Sequence, residues 1–429
     1  MTIRRQIGLL LPLTLIASLM ASAAVAQTSD AALEHARRLL RSTPLIDGHN
    51  DLPWEIRKSK SAPLDVDAYD LRRHVDGHTD LDRLARGQVA AQFWSIYVPG
   101  EAKDSGFARI QLEQFDIARR MIARYPDRLA LALTADDIER DFRQGKIASL
   151  LGMEGGHVIE NSLGALRVYY DLGARYMTLT HNVTLAWADA ALDTASHGGL
   201  TEFGKEVVRE MNRLGMLVDL SHVSPGTMSD ALDVAQAPVI FSHSSARAVT
   251  DVARNVPDSI LARLPKNGGV VMVTFVPGFI AKAIDDYDTA ARARFREIRS
   301  TVTDSAEARR LMGEWRAAHP RPKATISDVA DHIEHVRRVA GVDHVGIGSD
   351  FDGIDETPVG LEDSSTYPSL FAELIRRGWS DDDLKKLAGR NLLRALRGAE
   401  ATARRLQQTT RPSTKTIDQL DGPRTAPAT

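Results

Sequence analysis

The chain is predicted to fold as an α/β protein, a (β/α)8 barrel of the TIM type with helical insertions after its second and seventh strands. Three observations predict this. Eight short runs rich in Val, Ile, Leu and aromatic residues recur along the chain; amphipathic helix patterns separate most of them; and 429 residues suit one large barrel with extensions as well as two or three smaller domains. Strands that alternate with helices imply a parallel sheet, and eight such units imply a closed one. The alternative is an open doubly wound sheet, but no G-x-G-x-x-G turn follows an early strand.

Residues 1–26 come first. Arg4 and Arg5 precede an apolar run that closes on Ala24-Val25-Ala26, the pattern of a secretory signal peptide cleaved after Ala26. A membrane anchor is the competing reading, and the small-residue ending argues against it. The barrel is expected over residues 27–400. Its strands are "PLIDGH" (44–49), "VAAQFWSIYV" (89–98), "IASLLGMEGG" (147–156) and "ARYMTLTHN" (174–182) in the first half. "MLVDLSHVS" (216–224), "PVIFSHSS" (238–245), "GVVMVTFVP" (269–277) and "HVGIGSDFDG" (344–353) follow in the second. Among the helices, "SLGALRVYYDLG" and "TEFGKEVVREMNRLG" each close in a glycine suited to a C-cap, and "SPGTMSDALDVA" opens on an N-cap serine and a first-turn proline. Residues 99–146 and 278–326 are too long for plain connections, and each holds a helix pair. Such insertions build lids, substrate walls or subunit contacts. Residues 401–429 are polar and Pro/Thr-rich and are expected to be a disordered tail without the hydrophobic end of a lipid-anchor signal.

Composition narrows the function. With 43% hydrophobic and 26% charged residues the chain is globular; with a net charge of −3 and no basic block, nothing points to a nucleic-acid partner. Loss of Arg4 and Arg5 with the signal segment takes the charge to about −5. There is no cysteine, which excludes disulfides, thiolate metal sites and a lipoprotein anchor. An exported, cysteine-free enzyme points to a bacterial periplasm, with no stable membrane anchor after cleavage.

The strand C-termini line the active-site face of such a barrel. Here they carry His49 and Asp51, Glu154, His181, His222, His243, and finally Asp350 and Asp352. Side chains two apart on a strand point the same way, so His49 and Asp51 can hold one cation between them. Nitrogen and oxygen donors without thiolates suit Zn2+ or a similar divalent ion, and the six residues His49, Asp51, Glu154, His181, His222 and His243 exceed what one tetrahedral ion needs, which favours two ions sharing a carboxylate. Each residue has an ordinary reading too. An H-x-D arises by chance, Glu154 could pair with a basic side chain, His181 could cap a helix, His222 and His243 could be satisfied core histidines, and "GSDFDG" resembles an acidic turn or a loose calcium loop. These readings weaken together because the residues fall on one face. His157, His197, His332, His335 and His344 do not share that placement.

The motifs "LIDGHNDLPW", "GMEGGH", "YMTLTHN", "DLSHVS", "FSHSSARAV", "RNVPD" and "VGIGSDFDG…GLEDSSTYP" together resemble the membrane dipeptidase family, the renal-type dipeptidases of the amidohydrolase superfamily, from about residue 43 to residue 398. The resemblance implies two Zn2+ per chain: His49 and Asp51 on one, His222 and His243 on the other, and Glu154 bridging both. It implies that His181 contacts the substrate and polarises its scissile carbonyl, that Arg254 holds the terminal carboxylate, and that Asp350 moves protons from a bridging water to the leaving amine. It further implies a homodimer. Vertebrate members carry cysteines and a lipid-anchor signal; this chain has neither, so membrane attachment does not follow.

The expected function is therefore zinc-dependent hydrolysis of the single peptide bond of dipeptides by a metal-bridging hydroxide, with C-terminal D-residues and β-lactams as further substrates. Rivals are a hydrolase of phosphotriesters or lactones on the same barrel, a binding protein that captures peptides without cutting them, and a calcium-stabilised structural protein.

Overall fold

The computed structural model describes residues 31–102 and 106–423, so the signal segment expected over 1–26 lies outside the described residues. Among the described residues, nine strands form one all-parallel sheet: β1 (Leu45–Asn50), β2 (Val89–Tyr97), β3 (Leu129–Leu131), β4 (Ile147–Glu154), β5 (Ala174–Thr178), β6 (Leu217–Asp219), β7 (Ile240–Phe241), β8 (Val270–Val273) and β9 (Val345–Ile347). Their order is β2-β1-β9-β8-β7-β6-β5-β4-β3, and pairing of β2 with β4 closes the barrel. All eight predicted runs contain a barrel strand.

The additional strand is β3, inside the first insertion, where the sequence suggests helices alone. It pairs Leu129–Leu131 with Ile147–Ser149, whereas β5 pairs with β4 only from Leu151 onward. β3 therefore covers the half of β4 that β5 leaves bare. A three-residue run is too short to show a period in the sequence.

Ile46, Phe93, Leu150, Tyr176, Leu217, Ile240 and Met272 come from seven different strands and form a buried interior group. A second apolar layer joins the strands to the surrounding helices. Helix boundaries follow local chemistry. The Ser224 side chain accepts from Thr227 N at the start of the helix Pro225–Val234, and Gly215 closes the helix Glu202–Leu214 at φ +87. The second insertion is a helical hairpin, Lys282–Thr301 and Ser305–Ala318, with a small core of Ile298, Ala308 and Met312.

The tail expected from residue 401 is ordered over the part described. The helix Asn391–Gln407 runs past the predicted boundary, and the segment after it lies against the helix Glu202–Leu214. Ser413 Oγ donates to Glu206 at 2.7 Å, Thr201 Oγ1 donates to Asp421 at 2.7 Å, and Ile417 is buried. Polar composition suggested disorder, but these side chains find fixed partners on the barrel, which no local pattern reveals. Among the described residues no helix is long and apolar enough to cross a membrane.

Candidate active site

β1 is not a regular strand to its end. Leu45 packs in the outer layer, Ile46 in the interior, and the Asp47 carboxylate turns outward to Tyr367. The register with β2 then slips between Asp47 and Asn50, and His49 reaches the interior phenol of Tyr176. Such an irregularity re-aims the side chains beyond it. Asp51 lies past the strand, as N-cap of the helix Leu52–Arg57. His49 and Asp51 do converge, Nε2 to Oδ2 at 3.1 Å, but through a slip and a turn instead of strand alternation.

Glu154 is the last residue of β4, and four other predicted residues sit beyond their strands. His181, His222 and Asp350 follow the last residues of β5, β6 and β9 by three positions, and His243 follows β7 by two. His222 and Asp350 have φ of +67 and +68, in the left-handed region that favours glycine. Strained backbone of this kind marks functional sites, where the surrounding fold holds it in place.

The side chains meet around Glu154, at the end of β4. One oxygen, Oε2, is 3.4 Å from His49 Nε2 and accepts from Ser95 Oγ at 2.9 Å. The other, Oε1, is 3.1 Å from His222 Nε2, 3.5 Å from His243 Nε2 and 3.8 Å from His181 Nε2. Asp350 Oδ1 is 3.9 Å from His49. Three sets of potential ligand atoms result, each within 4.8 Å of one another: His49, Glu154 and His243; Glu154, His181 and His222; and His49, Asp51 and Asp350. The predicted residues thus converge on one centre with two sides, one per oxygen of Glu154.

Residues behind the ligand-type side chains orient them, as is usual around metals. His49 Nδ1 meets the Tyr176 hydroxyl at 2.9 Å, His222 Nδ1 meets the Asn182 amide oxygen at 3.0 Å, and His243 Nδ1 meets Ser242 Oγ at 2.8 Å. Every one of these rings therefore turns Nε2 toward Glu154. Buried Asp47 and Asp219 tie the strand ends together. Asp47 accepts from Ser349 N and Oγ at 2.8 and 2.6 Å; Asp219 accepts from Thr178 Oγ1 and Ser242 Oγ at 2.5 and 2.6 Å. The sequence reading passed over these supports. A carboxylate in an apolar run shortly before each histidine, in "LIDGH" and "DLSH", was the signal that could have found two of them. Asp352 is placed differently from Asp350: it accepts from His78 N at 2.6 Å, and burial pushes it up to about 7.

The electrostatics suit a cation. Burial opposes charge on Glu154, but His49 and hydrogen bonds from His222 and His49 hold its carboxyl well below the usual range. Burial, with Arg254 and His181 nearby, holds His222 far below the ordinary imidazole range; burial and His49 do the same to His243. For His49, burial is outweighed by Tyr176, Glu154 and Asp51, which raise it. Glu154, His222 and His243 are thus held in forms that offer lone pairs to a cation. Nitrogen and carboxylate donors without thiolate fit zinc and its neighbours.

A cavity of ≈ 370 Å³ opens over this centre, walled by Trp54, Tyr97, Leu192, Phe279 and Ile354. Arg254 lines it. This guanidinium is only 2% exposed and lies over the Phe279 ring at 5.3 Å. Its hydrogen bonds are long, 3.4 Å to Ser244 Oγ and 3.5 Å to His243 O, and among the described residues it has no ion-pair partner. Burial lowers it to about 10, so it stays charged at neutral pH.

A parallel barrel whose strand ends gather imidazoles and carboxylates around an open cavity is the architecture of a metal-dependent hydrolase. The chain belongs to the membrane dipeptidase family, peptidase family M19, whose model matches residues 33–410. Among solved structures, it is similar to the probable dipeptidase PvdM from Pseudomonas aeruginosa, with 25% identity and a TM-score of 0.74 over 87% of this chain and 100% of that one. It is also similar to a metallopeptidase from Rhodobacter sphaeroides, liganded with a phosphinate mimic of the dipeptide L-Ala-D-Ala. That match has 25% identity and a TM-score of 0.69, over 83% of this chain and 99% of that one.

Proposed function

We propose that the protein is a two-zinc dipeptidase. Arg254 is the observation that carries the substrate class: a buried cation with unspent donors, lining the same cavity as the ligand-type residues. Guanidinium binds carboxylate in a bidentate fork, so Arg254 is suited to the free carboxylate of a short peptide. The cavity's volume suits a small ligand. A carboxylate anchored at its wall places the preceding peptide bond toward Glu154.

On the two sides of Glu154, His49 and Asp51 would hold one ion and His222 and His243 the other, with Glu154 shared by both. Bound zinc supplies Lewis acidity, which makes water nucleophilic at neutral pH and polarises a carbonyl. The protein does the rest. His181, whose Nε2 lies 3.8 Å from Glu154 Oε1, would donate to the developing oxyanion. Asp350, whose Oδ1 lies 3.9 Å from His49 on the cavity wall, would hold the proton and pass it to the departing amine.

The phosphinate mimic of L-Ala-D-Ala in the Rhodobacter sphaeroides relative supports extending the substrates to C-terminal D-residues; strained cyclic amides such as β-lactams are a further substrate class of this proposal. Export to a periplasm and assembly as a homodimer belong to it too, testable by cell fractionation and light scattering.

The deciding experiment combines elemental analysis of purified protein with a dipeptide panel and a phosphoester panel. Two equivalents of zinc, and dipeptide cleavage that chelator abolishes and zinc restores, are expected. Phosphoester turnover without dipeptide turnover, or metal-independent cleavage, contradicts the proposal. Peptide binding without turnover in metal-loaded protein would favour the capture protein instead.

A further inference from the structure

We propose that Asp219 and Ser242 are positioning residues that lock His243 in the one tautomer able to bind a metal; this rests on the two-zinc reading. Asp219 Oδ1 accepts from two backbone donors, Ser221 N at 3.1 Å and Ser242 N at 2.8 Å. Its Oδ2 receives two hydroxyls, Thr178 at 2.5 Å and Ser242 at 2.6 Å. An oxygen approached by two hydroxyls is that of an acceptor-only carboxylate. Ser242 has one hydroxyl proton, and this bond uses it. Toward His243 Nδ1, at 2.8 Å, Ser242 Oγ can then only accept. His243 therefore carries its proton on Nδ1 and presents a lone pair at Nε2.

His222 is held differently. Its Nδ1 meets the side-chain amide of Asn182, which can present oxygen or nitrogen by turning over. In metal-free protein His222 can donate from Nε2 to His243 Nε2, 2.8 Å away, and it can reverse its tautomer when an ion arrives. One imidazole adapts and the other does not.

Replacing Asp219 by Asn reverses the chain. Two backbone N–H donors keep the amide oxygen in the Oδ1 position, so the amide nitrogen takes the place of Oδ2 and donates to Ser242 Oγ. The Ser242 hydroxyl must then donate elsewhere, and its nearest acceptor is His243 Nδ1. The ring proton moves to Nε2, where it occupies the metal position and bonds to His222. D219N should thus harm metal binding more than Ser242→Ala, which only removes the partner.

The test uses metal-free protein with 15N-labelled histidine, in which two-bond 1H–15N correlations show which ring nitrogen is protonated, with calorimetric zinc titration alongside. Wild type should show His243 protonated at Nδ1. D219N should show the proton at Nε2 and weaken the second zinc about 100-fold, and S242A about 10-fold. Thr178→Val removes a hydroxyl from the same carboxylate oxygen without touching His243 and should leave the tautomer as it is. Nε2 protonation in wild type overturns the inference without any variant. So does a D219N protein that keeps Nδ1 protonation, or that binds zinc no more weakly than S242A. Failure of wild type to bind zinc counts against the two-zinc reading, while the tautomer measurement still decides this one.

Discussion

The Nε2 atoms of His222 and His243 lie 2.8 Å apart. Two ring nitrogens at that distance cannot both present lone pairs unless a positive centre joins them, either a shared proton or a cation. Metal binding should therefore be linked to stability. Chelation should lower Tm, and returned zinc should raise it with increasing concentration, each site adding about 2.7 kcal/mol of stability at a hundredfold excess over its Kd. A Tm indifferent to chelator and zinc in differential scanning calorimetry contradicts the linkage.

Arg254 makes a second prediction. Arg254→Met keeps side-chain bulk over Phe279 but removes the charge, and KM for dipeptides should rise about 100-fold, as expected when one partner of a buried charge pair is truncated. A dipeptide capped as its C-terminal amide should be a poor substrate for both proteins. Equal turnover of capped and free dipeptide by wild type would remove the carboxylate clamp.

Gly152 shows how far the support of the site extends. A Cβ there would lie 2.1 Å from Tyr176 Cζ, and the Tyr176 hydroxyl is the partner of His49 Nδ1. Gly152→Ala must displace the ring, at a cost of about 1–3 kcal/mol for an overpacked core. It should also weaken zinc binding by loosening His49. Tyr176→Phe separates the two effects: it keeps the packing and loses only the hydroxyl. Denaturant midpoints and zinc titrations of both variants check this; a fully stable G152A would mean that the ring has room to move.

His332 sets a pH dependence remote from the metal centre. It accepts from Ala246 N at 3.0 Å on Nδ1 and meets Ile280 O at 3.1 Å with Nε2, which fixes it neutral, and burial lowers it to about 4. An unfolded chain protonates histidine near 6.5, so between about 6.5 and 4 the unfolded state binds more protons and stability falls as pH falls. The loss from this group is on the order of 3 kcal/mol and is complete below its folded pKa. His332→Gln should flatten this part of the stability–pH curve. A curve that keeps its full slope in the variant would assign the effect to other groups.

The barrel was legible because its evidence is local. Each run of buried strand residues and each capped helix can be read where it stands, and a parallel sheet follows from their alternation. The placement of His49, Asp51, Glu154, His181, His222, His243 and Asp350 was legible because motifs at strand ends must share one face of such a barrel, whereas Arg254 followed only from the family resemblance. β3 was not, since three residues carry no period. The ordered segment after residue 407 was not, since its hydrogen bonds go to helices far away in the chain.

By itself the sequence determined the fold class, the family and which side chains converge. Only the tertiary structure decided how they are aimed: the slip in β1 that turns His49 inward, the left-handed backbone at His222 and Asp350, and the Asp219–Ser242 contact behind His243. The physical reason is one of range. Residue type and periodicity report what a segment buries, whereas the direction of a lone pair depends on partners that distant segments bring within hydrogen-bond distance.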